Sequence, residues 1–158
     1  MQVRIAREKD MPQVLELIRE LARFEKEPDA VDISAEDLVK EGFSDQPLFR
    51  CFVAEADGEV VGMALVYFRF STWKGRTLHL EDLIVKESYR GKGIGEALYT
   101  AVMKYGHEQG VKRVEWVVLD WNYGALKFYE RSGATILKDW YLAQMDEESL
   151  ENFIKRNK

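Results

Sequence analysis

Residues 80–106, LEDLIVKESYRGKGIGEALYTAVMKYG, hold the first group of side chains whose types and spacing could do chemistry. Leu83-Ile84-Val85 reads as an apolar strand, and residues 86–89 form a short polar link. Arg90-Gly91-Lys92-Gly93-Ile94-Gly95 follows, then Glu96 and a helical repeat of Ala97, Leu98, Ala101, Val102 and Tyr105. Glycine has no Cβ, so such a backbone takes φ > 0 cheaply and can approach a ligand closely. The first N–H groups of a helix have no intrahelical partner. The helix dipole adds positive charge there, as do Arg90 and Lys92, and together these features can hold a phosphate or pyrophosphate. A simple tight turn is the competing reading. A dinucleotide fingerprint requires G-x-G-x-x-G and a nucleoside-triphosphate loop requires G-x-x-x-x-G-K-[ST]. The G-x-G-x-G spacing here matches neither, which leaves a phosphate-bearing ligand of another kind.

Residues 120–134, DWNYGALKFYERSGA, are the second group. Asn122 is a good N-cap. Ala125, Phe128 and Tyr129 recur at i, i+3 and i+4, on one helical face. Phe128 reads first as core packing. Tyr129 differs, because a phenol can donate a proton and needs a partner when buried.

Around these two groups the hydrophobic periodicity lays out the elements that must position them. Residues 2–6 read as a strand. Asp10 is an N-cap for a helix carrying Met11, Val14, Leu15, Ile18, Leu21 and Ala22, which should fade by Glu27-Pro28. Ser34 and Asp37 resemble a capping box for a short helix stopping at Gly42. Residues 49–56 and 60–70 are strands joined by Asp57-Gly58, a two-residue hairpin signal. Residues 77–85 form the next strand, and it feeds the glycine turn. Gly110 marks the end of the following helix. Residues 113–119 (RVEWVVL) read as a strand, 122–131 as a helix, 135–144 as a last strand and 146–155 as a terminal helix. The expected class is α/β with a mixed sheet. An antiparallel meander is joined to a parallel β-α-β crossover in a single domain over residues 1–158.

Composition bounds the function. The chain has 158 residues, 46% of them hydrophobic, enough for one well-formed core. Its formal charge of −5 and lack of a basic face argue against a nucleic-acid partner. No apolar run approaches the length of a membrane span and no leader precedes the first strand, so the chain reads as soluble and cytoplasmic. Cys51, the single cysteine, lies in an apolar run and reads as a core thiol. No metal-ligand spacing is present.

The combination LEDLIV, RGKGIG with its alanine-rich helix, and WN-x-x-A-x-x-FY-x-x-x-GA resembles the GCN5-related N-acetyltransferase (GNAT) family. It is most similar to the spermidine/spermine (diamine) and thialysine acetyltransferase branch. IRELARFEKEP, EGF with its aromatic strand, and YFRFSTWKGRTLHLED extend the resemblance over about residues 3–150. The resemblance implies the acyl-CoA acyltransferase fold, with two central strands that splay apart, and acetyl-CoA as cofactor. The backbone of Leu83, Ile84 and Val85 would bond the pantetheine arm. Arg90, Gly91, Lys92, Gly93, Ile94, Gly95 and Glu96 would hold the pyrophosphate. Asn122, Ala125, Phe128 and Arg131 would flank the pantetheine, and Tyr129 would stand near the thioester sulfur. Phe24, Glu25, Trp73, Glu81, Glu115 and Trp116 would line an amine pocket. Members of this branch are homodimers with substrate sites near the subunit interface.

Acetylating a primary amine poses two proton problems. An amine of pKa about 10.4 loses its proton at pH 7 at a cost of about 4.6 kcal/mol, so a base is needed, and the leaving thiolate gains from a proton donor. Glu81, acting through a water, is the candidate base and Tyr129 the candidate acid. The N–H of Leu83 could polarise the carbonyl. Asp82 should face the opposite side of the strand, since side chains alternate, and reads as structural. Acidic and aromatic walls suit a cationic diamine or polyamine. Ser71 stands where the diamine branch carries an acid, and Phe24 where it carries a tyrosine, which shifts the expectation toward a smaller amine such as thialysine. Acetylation of a protein lysine or N-terminus, and a non-catalytic acyl-CoA-binding module, are the alternatives.

Overall fold

The computed structural model describes residues 1–157. The chain divides into two compact units, Met1–Val117 and a second from Val118 onward.

The first unit carries a five-stranded sheet in the order β1-β2-β3-β4-β5, formed by Gln2–Ile5, Arg50–Ala56, Glu59–Ser71, Gly75–Val85 and Val114–Glu115. β1 to β4 are antiparallel neighbours, and β5 lies parallel to β4. Asp57 and Gly58, both with positive φ (51° and 78°), make the tight β2–β3 hairpin. Two helices precede β2. α1 (Met11–Phe24) buries Met11, Val14, Leu15 and Leu17. α2 (Ala35–Gly42) starts at Ser34, whose hydroxyl accepts from the Asp37 N–H while Asp37 accepts from the Ser34 N–H. α3 (Ile94–Glu108) links β4 to β5, as the crossover requires.

Strand alternation divides the apolar side chains between the two faces. Cys51, Val53, Val60, Met63, Leu65 and Ile84 pack with α1 and α2 residues. Phe52, Ala54, Val61, Ala64, Val66, Leu78 and Leu80 pack with Ile94, Leu98 and Val102 of α3. Arg4 ties the entry of α1 to the sheet, donating to Asp10 at 2.7 Å and Glu55 at 2.6 Å. The buried Cys51 thiol is pushed up to about 12 by burial and by Asp82 and Asp10, so it stays protonated.

The second unit holds α4 (Tyr123–Arg131) and α5 (Glu147–Arg156). Asn122 caps α4, accepting from the Ala125 N–H at 3.3 Å, and Asp146 caps α5, accepting from the Ser149 N–H at 2.8 Å.

Two expected strands differ. The strand expected over residues 113–119 is ordered as sheet only at Val114–Glu115. Beyond it Trp116 turns edge-on to Tyr99 of α3, with ring centroids 5.7 Å apart. The strand expected over 135–144 does not form. A strand needs a neighbour for its N–H and C=O groups, and among the described residues no ladder reaches this segment. Its Trp140, Tyr141 and Leu142 are exposed. Among the described residues no helix is long and apolar enough to cross a membrane.

Candidate active site

β3 and β4 pair without interruption from Ser71↔Gly75 to Val66↔Leu80, and then the register slips. Leu65 pairs with Asp82, so Glu81 is the extra residue of a β-bulge. The slip changes which way the acids point. Val66 and Leu80 belong to the α3 side, whereas Leu65, the partner of Asp82, belongs to the α1 side. Glu81 reaches that same α1 side, because its carboxylate accepts from Tyr67, which packs there. The expectation that Asp82 faces away from Glu81 is therefore corrected: the bulge absorbs the alternation and sets both carboxylates on one face.

Glu81 is held firmly. The Tyr67 hydroxyl donates to its Oε2 at 2.8 Å, and His79 Nε2 lies 3.3 Å from the same oxygen. Arg69 stands 3.2 Å from His79 Nδ1. A guanidinium only donates, so Nδ1 is the acceptor and Nε2 carries the hydrogen that points at Glu81. The His79 hydrogen bond, followed by that from Tyr67, holds the Glu81 carboxyl below the usual carboxylate range against the opposing effect of burial. Tyr67 is correspondingly pushed up to about 12, first by burial and then by Glu81.

Asp82 has the opposite surroundings. It is half-buried and, among the described residues, makes no hydrogen bond or ion pair. Burial, then Glu81, then Glu25 push its carboxyl up to about 7. Glu25, the C-cap of α1, is itself raised by burial.

β4 leads directly into the glycine turn. β5 ends at Glu115, so from Leu80 to Val85 the outer edge of β4 has no strand beside it among the described residues. Backbone groups alternate between the two edges of a strand: those of Ile84 face Met63 of β3, while the N–H and C=O of Leu83 and the N–H of Val85 point to the open edge and can pair with an extended ligand. A single turn of 3₁₀ helix, Glu87–Tyr89, connects to Gly91 and Gly93, both left-handed at φ 74° and 76°. Gly93 is the N-cap of α3, and the first intrahelical bond runs from the Ala97 N–H to its carbonyl. The N–H groups of Ile94, Gly95 and Glu96 thus lie ahead of the ladder, as donors for an anion. A Cβ built on Gly91 or Gly93 meets no atom within 4 Å, so the space above the turn is open. Arg90 braces the turn: its Nε donates to the Val85 carbonyl at 3.0 Å and its guanidinium lies 5.5 Å from the Phe24 ring. Glu20 accepts from the Glu87 N–H at 2.9 Å and pairs with Arg90 at 3.5 Å.

In the second unit, Asn122, Ala125, Phe128, Tyr129 and Arg131 lie on α4 or its cap. Tyr129 is buried, and the Phe128 and Tyr129 rings meet edge to face at 5.5 Å. The end of α4 is fixed through Tyr129, whose carbonyl accepts from the Ser132 hydroxyl at 2.6 Å and the Ala134 N–H at 3.0 Å.

Within the first unit, Glu25, Glu81 and the glycine turn gather around one end of α1 and β4. The other amine-pocket residues are distributed differently. Glu115 is engaged by Arg69 at 2.8 Å and Arg113 at 2.9 Å. Trp73 sits exposed in the β3–β4 turn, about 20 Å along β4 from Glu81 at the usual rise per residue. Tyr67, His79 and Glu20 escaped the sequence reading, and Asp82 was read there as a structural acid. The pairing Tyr67↔His79 would have flagged two of them, as polar aromatics facing each other across otherwise apolar strands.

The chain matches the Acetyltransferase (GNAT) family over residues 11–134. It is 42% identical to the thialysine N-epsilon-acetyltransferase of Bos taurus and 40% identical to that of Sus scrofa, over 94% of both chains in each case. Among solved structures, an integron cassette protein from the mobile metagenome of V. cholerae superposes with a TM-score of 0.79 over 98% of this chain and 97% of its own, at 23% identity. That likeness supports the fold; the family match and the two curated relatives place the chain as a GNAT acetyltransferase, close to the thialysine acetyltransferases.

Proposed function

We propose that this protein transfers an acetyl group from acetyl-CoA to a primary amine of a small cation, a short diamine or a thialysine-like amino acid. The observation that carries the reading is the pair of carboxylates at the β4 bulge, with Glu25 nearby, on the strand that runs into the glycine turn. An acidic face attracts an ammonium. The names of the two curated relatives support the amino-acid version.

The residues fit the cofactor. The left-handed Gly91 and Gly93 and the leading N–H groups of α3 suit a pyrophosphate, assisted by Arg90, Lys92, Ile94, Gly95 and Glu96. The open edge at Leu83 and Val85, with Ile84 between them pinned to β3, suits the amides of a pantetheine arm. Asn122, Ala125, Phe128 and Arg131 are assigned to flank that arm by resemblance. When bound, acetyl-CoA supplies an activated acyl carbon with a thiolate leaving group. Glu81, held as an anion by His79 and Tyr67, orients the ammonium. Tyr129 supplies a proton to the departing sulfur. The protein acts as one domain, as a cytoplasmic homodimer.

The test is incubation of purified protein with acetyl-CoA and a panel of thialysine, lysine, ornithine, short diamines, spermidine and a lysine peptide, with free thiol recorded. Turnover should be fastest on the small amines. Faster reaction with the peptide would replace this reading by protein acetylation, and coenzyme binding without turnover on any amine would leave a non-catalytic binding module.

A further inference from the structure

Resting on the amine-acetyltransferase reading, we propose that Asp82, and not Glu81, takes the proton from the substrate ammonium, while Glu81 serves as the fixed anion that positions it. The β-bulge at Glu81 places both carboxylates on the α1 side of β4. They are consecutive in the chain but opposite in bonding. Glu81 Oε2 faces two donors, Tyr67 and His79. Asp82 has none among the described residues. A carboxylate that is already hydrogen-bonded prefers to remain charged, and one that is half-buried beside two acids prefers to be protonated. Adjacent acids whose environments diverge in this way divide binding from proton transfer.

The charged groups facing Asp82 act in one direction. Glu81 lies beside it on β4 and Glu25 faces it from the end of α1. Tyr67 on β3 and Cys51 on β2, the other titratable groups it acts on, are both raised and stay uncharged near neutrality. His79 and Arg69 spend their donors on Glu81 and Glu115 rather than on Asp82. With its carboxyl near 7, Asp82 is about 10³-fold better placed to hold a proton at neutral pH than an ordinary carboxylate. In the step, an ammonium N–H bond breaks and its proton passes to an Asp82 oxygen. The freed nitrogen lone pair forms the N–C bond to the acyl carbon as the C–S bond breaks. The second proton that the nitrogen sheds balances the one gained by the sulfur. Asp82 then releases its proton to solvent, so one proton leaves per turnover.

Asp82→Asn and Glu81→Gln, each assayed from pH 5.5 to 9, separate the two roles. Asp82→Asn should lower kcat about 100-fold on an amine of ordinary basicity and remove the acidic limb near pH 7, with KM changed by less than about three-fold. Its defect should shrink below about ten-fold on a fluorinated amine that is already neutral at pH 7, which a merely structural role would not produce. Glu81→Gln should raise KM and keep the limb. Retention of the limb in Asp82→Asn, or an equal defect on both amines, overturns the assignment. Carboxyl-carbon NMR of the wild-type protein gives a second measurement independent of any variant's folding. A midpoint near 7 is expected for Asp82, and a midpoint near 4 overturns the proposal even if the enzyme is active. If the wild type turns over no amine at all, the underlying function falls and this assignment with it; turnover with an ordinary Asp82 midpoint sinks only the assignment.

Discussion

Glu81 and Asp82 are neighbours in β4 and lie on the same face of the sheet, because the β3–β4 ladder slips by one residue between Leu65 and Val66. One carboxylate is engaged by Tyr67 and His79, and the other makes no hydrogen bond among the described residues. A regular strand would have sent one of them into the α3-side core with Leu80 and Leu83. There the cost of a buried charge would have been several kcal/mol. The bulge makes two adjacent acids tolerable and gathers negative charge beside the end of α1.

The tolerance is incomplete, which gives the first prediction. The folded-state carboxyl of Asp82 is raised from an ordinary value near 3.8 to about 7. Between those values the folded state binds more protons than the unfolded state, so this residue makes stability fall as pH rises, and its penalty is complete above pH 7. Asp82→Asn removes the penalty. Wild type and variant should have similar urea midpoints near pH 4. At pH 8 the variant should be more stable, by on the order of 2–4 kcal/mol. Equal stability at both pH values would mean that the carboxyl titrates normally.

Much of this was legible in the sequence. The spacing of Met11, Val14 and Leu15, the Asp57-Gly58 hairpin and the Ser34 cap all describe local geometry, and local geometry follows from nearby residue types. The glycine turn was legible for the same reason: a left-handed N-cap at Gly93 is written in the glycine itself. The bulge was not, since a register slip belongs to two strands and alternation within one strand gives no sign of it. Nor was the fate of residues 135–144, whose apolar pattern describes a strand but cannot supply a neighbour. Glu115 illustrates a third limit. It reads as a free pocket acid until Arg69, distant along the chain, and Arg113, two residues before it, are found to take it.

Tyr67 carries the second prediction. Its hydroxyl donates to Glu81, and a hydrogen bond to a charged group contributes about 1.5–3 kcal/mol. Tyr67→Phe keeps the ring and deletes that donor, so the Glu81 carboxyl should rise toward its ordinary value. KM for the amine should increase about ten-fold, most strongly on the acidic side of the profile, while kcat changes little. An unchanged KM across the pH range would indicate that Glu81 does not meet the substrate ammonium.

Tyr129 is the third. It is buried, and its backbone carbonyl is held by Ser132 and Ala134, so Tyr129→Phe should leave α4 intact. Loss of the phenolic proton should reduce kcat by about 10²-fold or more. The dissociation constant for acetyl-CoA, measured by calorimetry, should move by less than about three-fold if the hydroxyl acts only as the thiolate departs. Wild-type turnover in the variant would remove Tyr129 from the proton-donor role.

The glycine turn supplies the last prediction, and it comes with an internal control. Gly93 caps the start of α3 at φ 76°, and Gly110 follows its end at φ 67°. Neither has an atom within 4 Å of where a Cβ would stand. Alanine at either position meets no clash and pays only the left-handed backbone conformation, about 1–2 kcal/mol. Gly93→Ala and Gly110→Ala should therefore lose similar amounts of stability in urea. Only the Gly93 variant relieves its strain by turning the Ile94, Gly95 and Glu96 N–H groups off their common direction. Its affinity for acetyl-CoA should fall about ten-fold, and that of the Gly110 variant should match wild type. Equal coenzyme affinity in the two variants would place the pyrophosphate away from the α3 N-terminus.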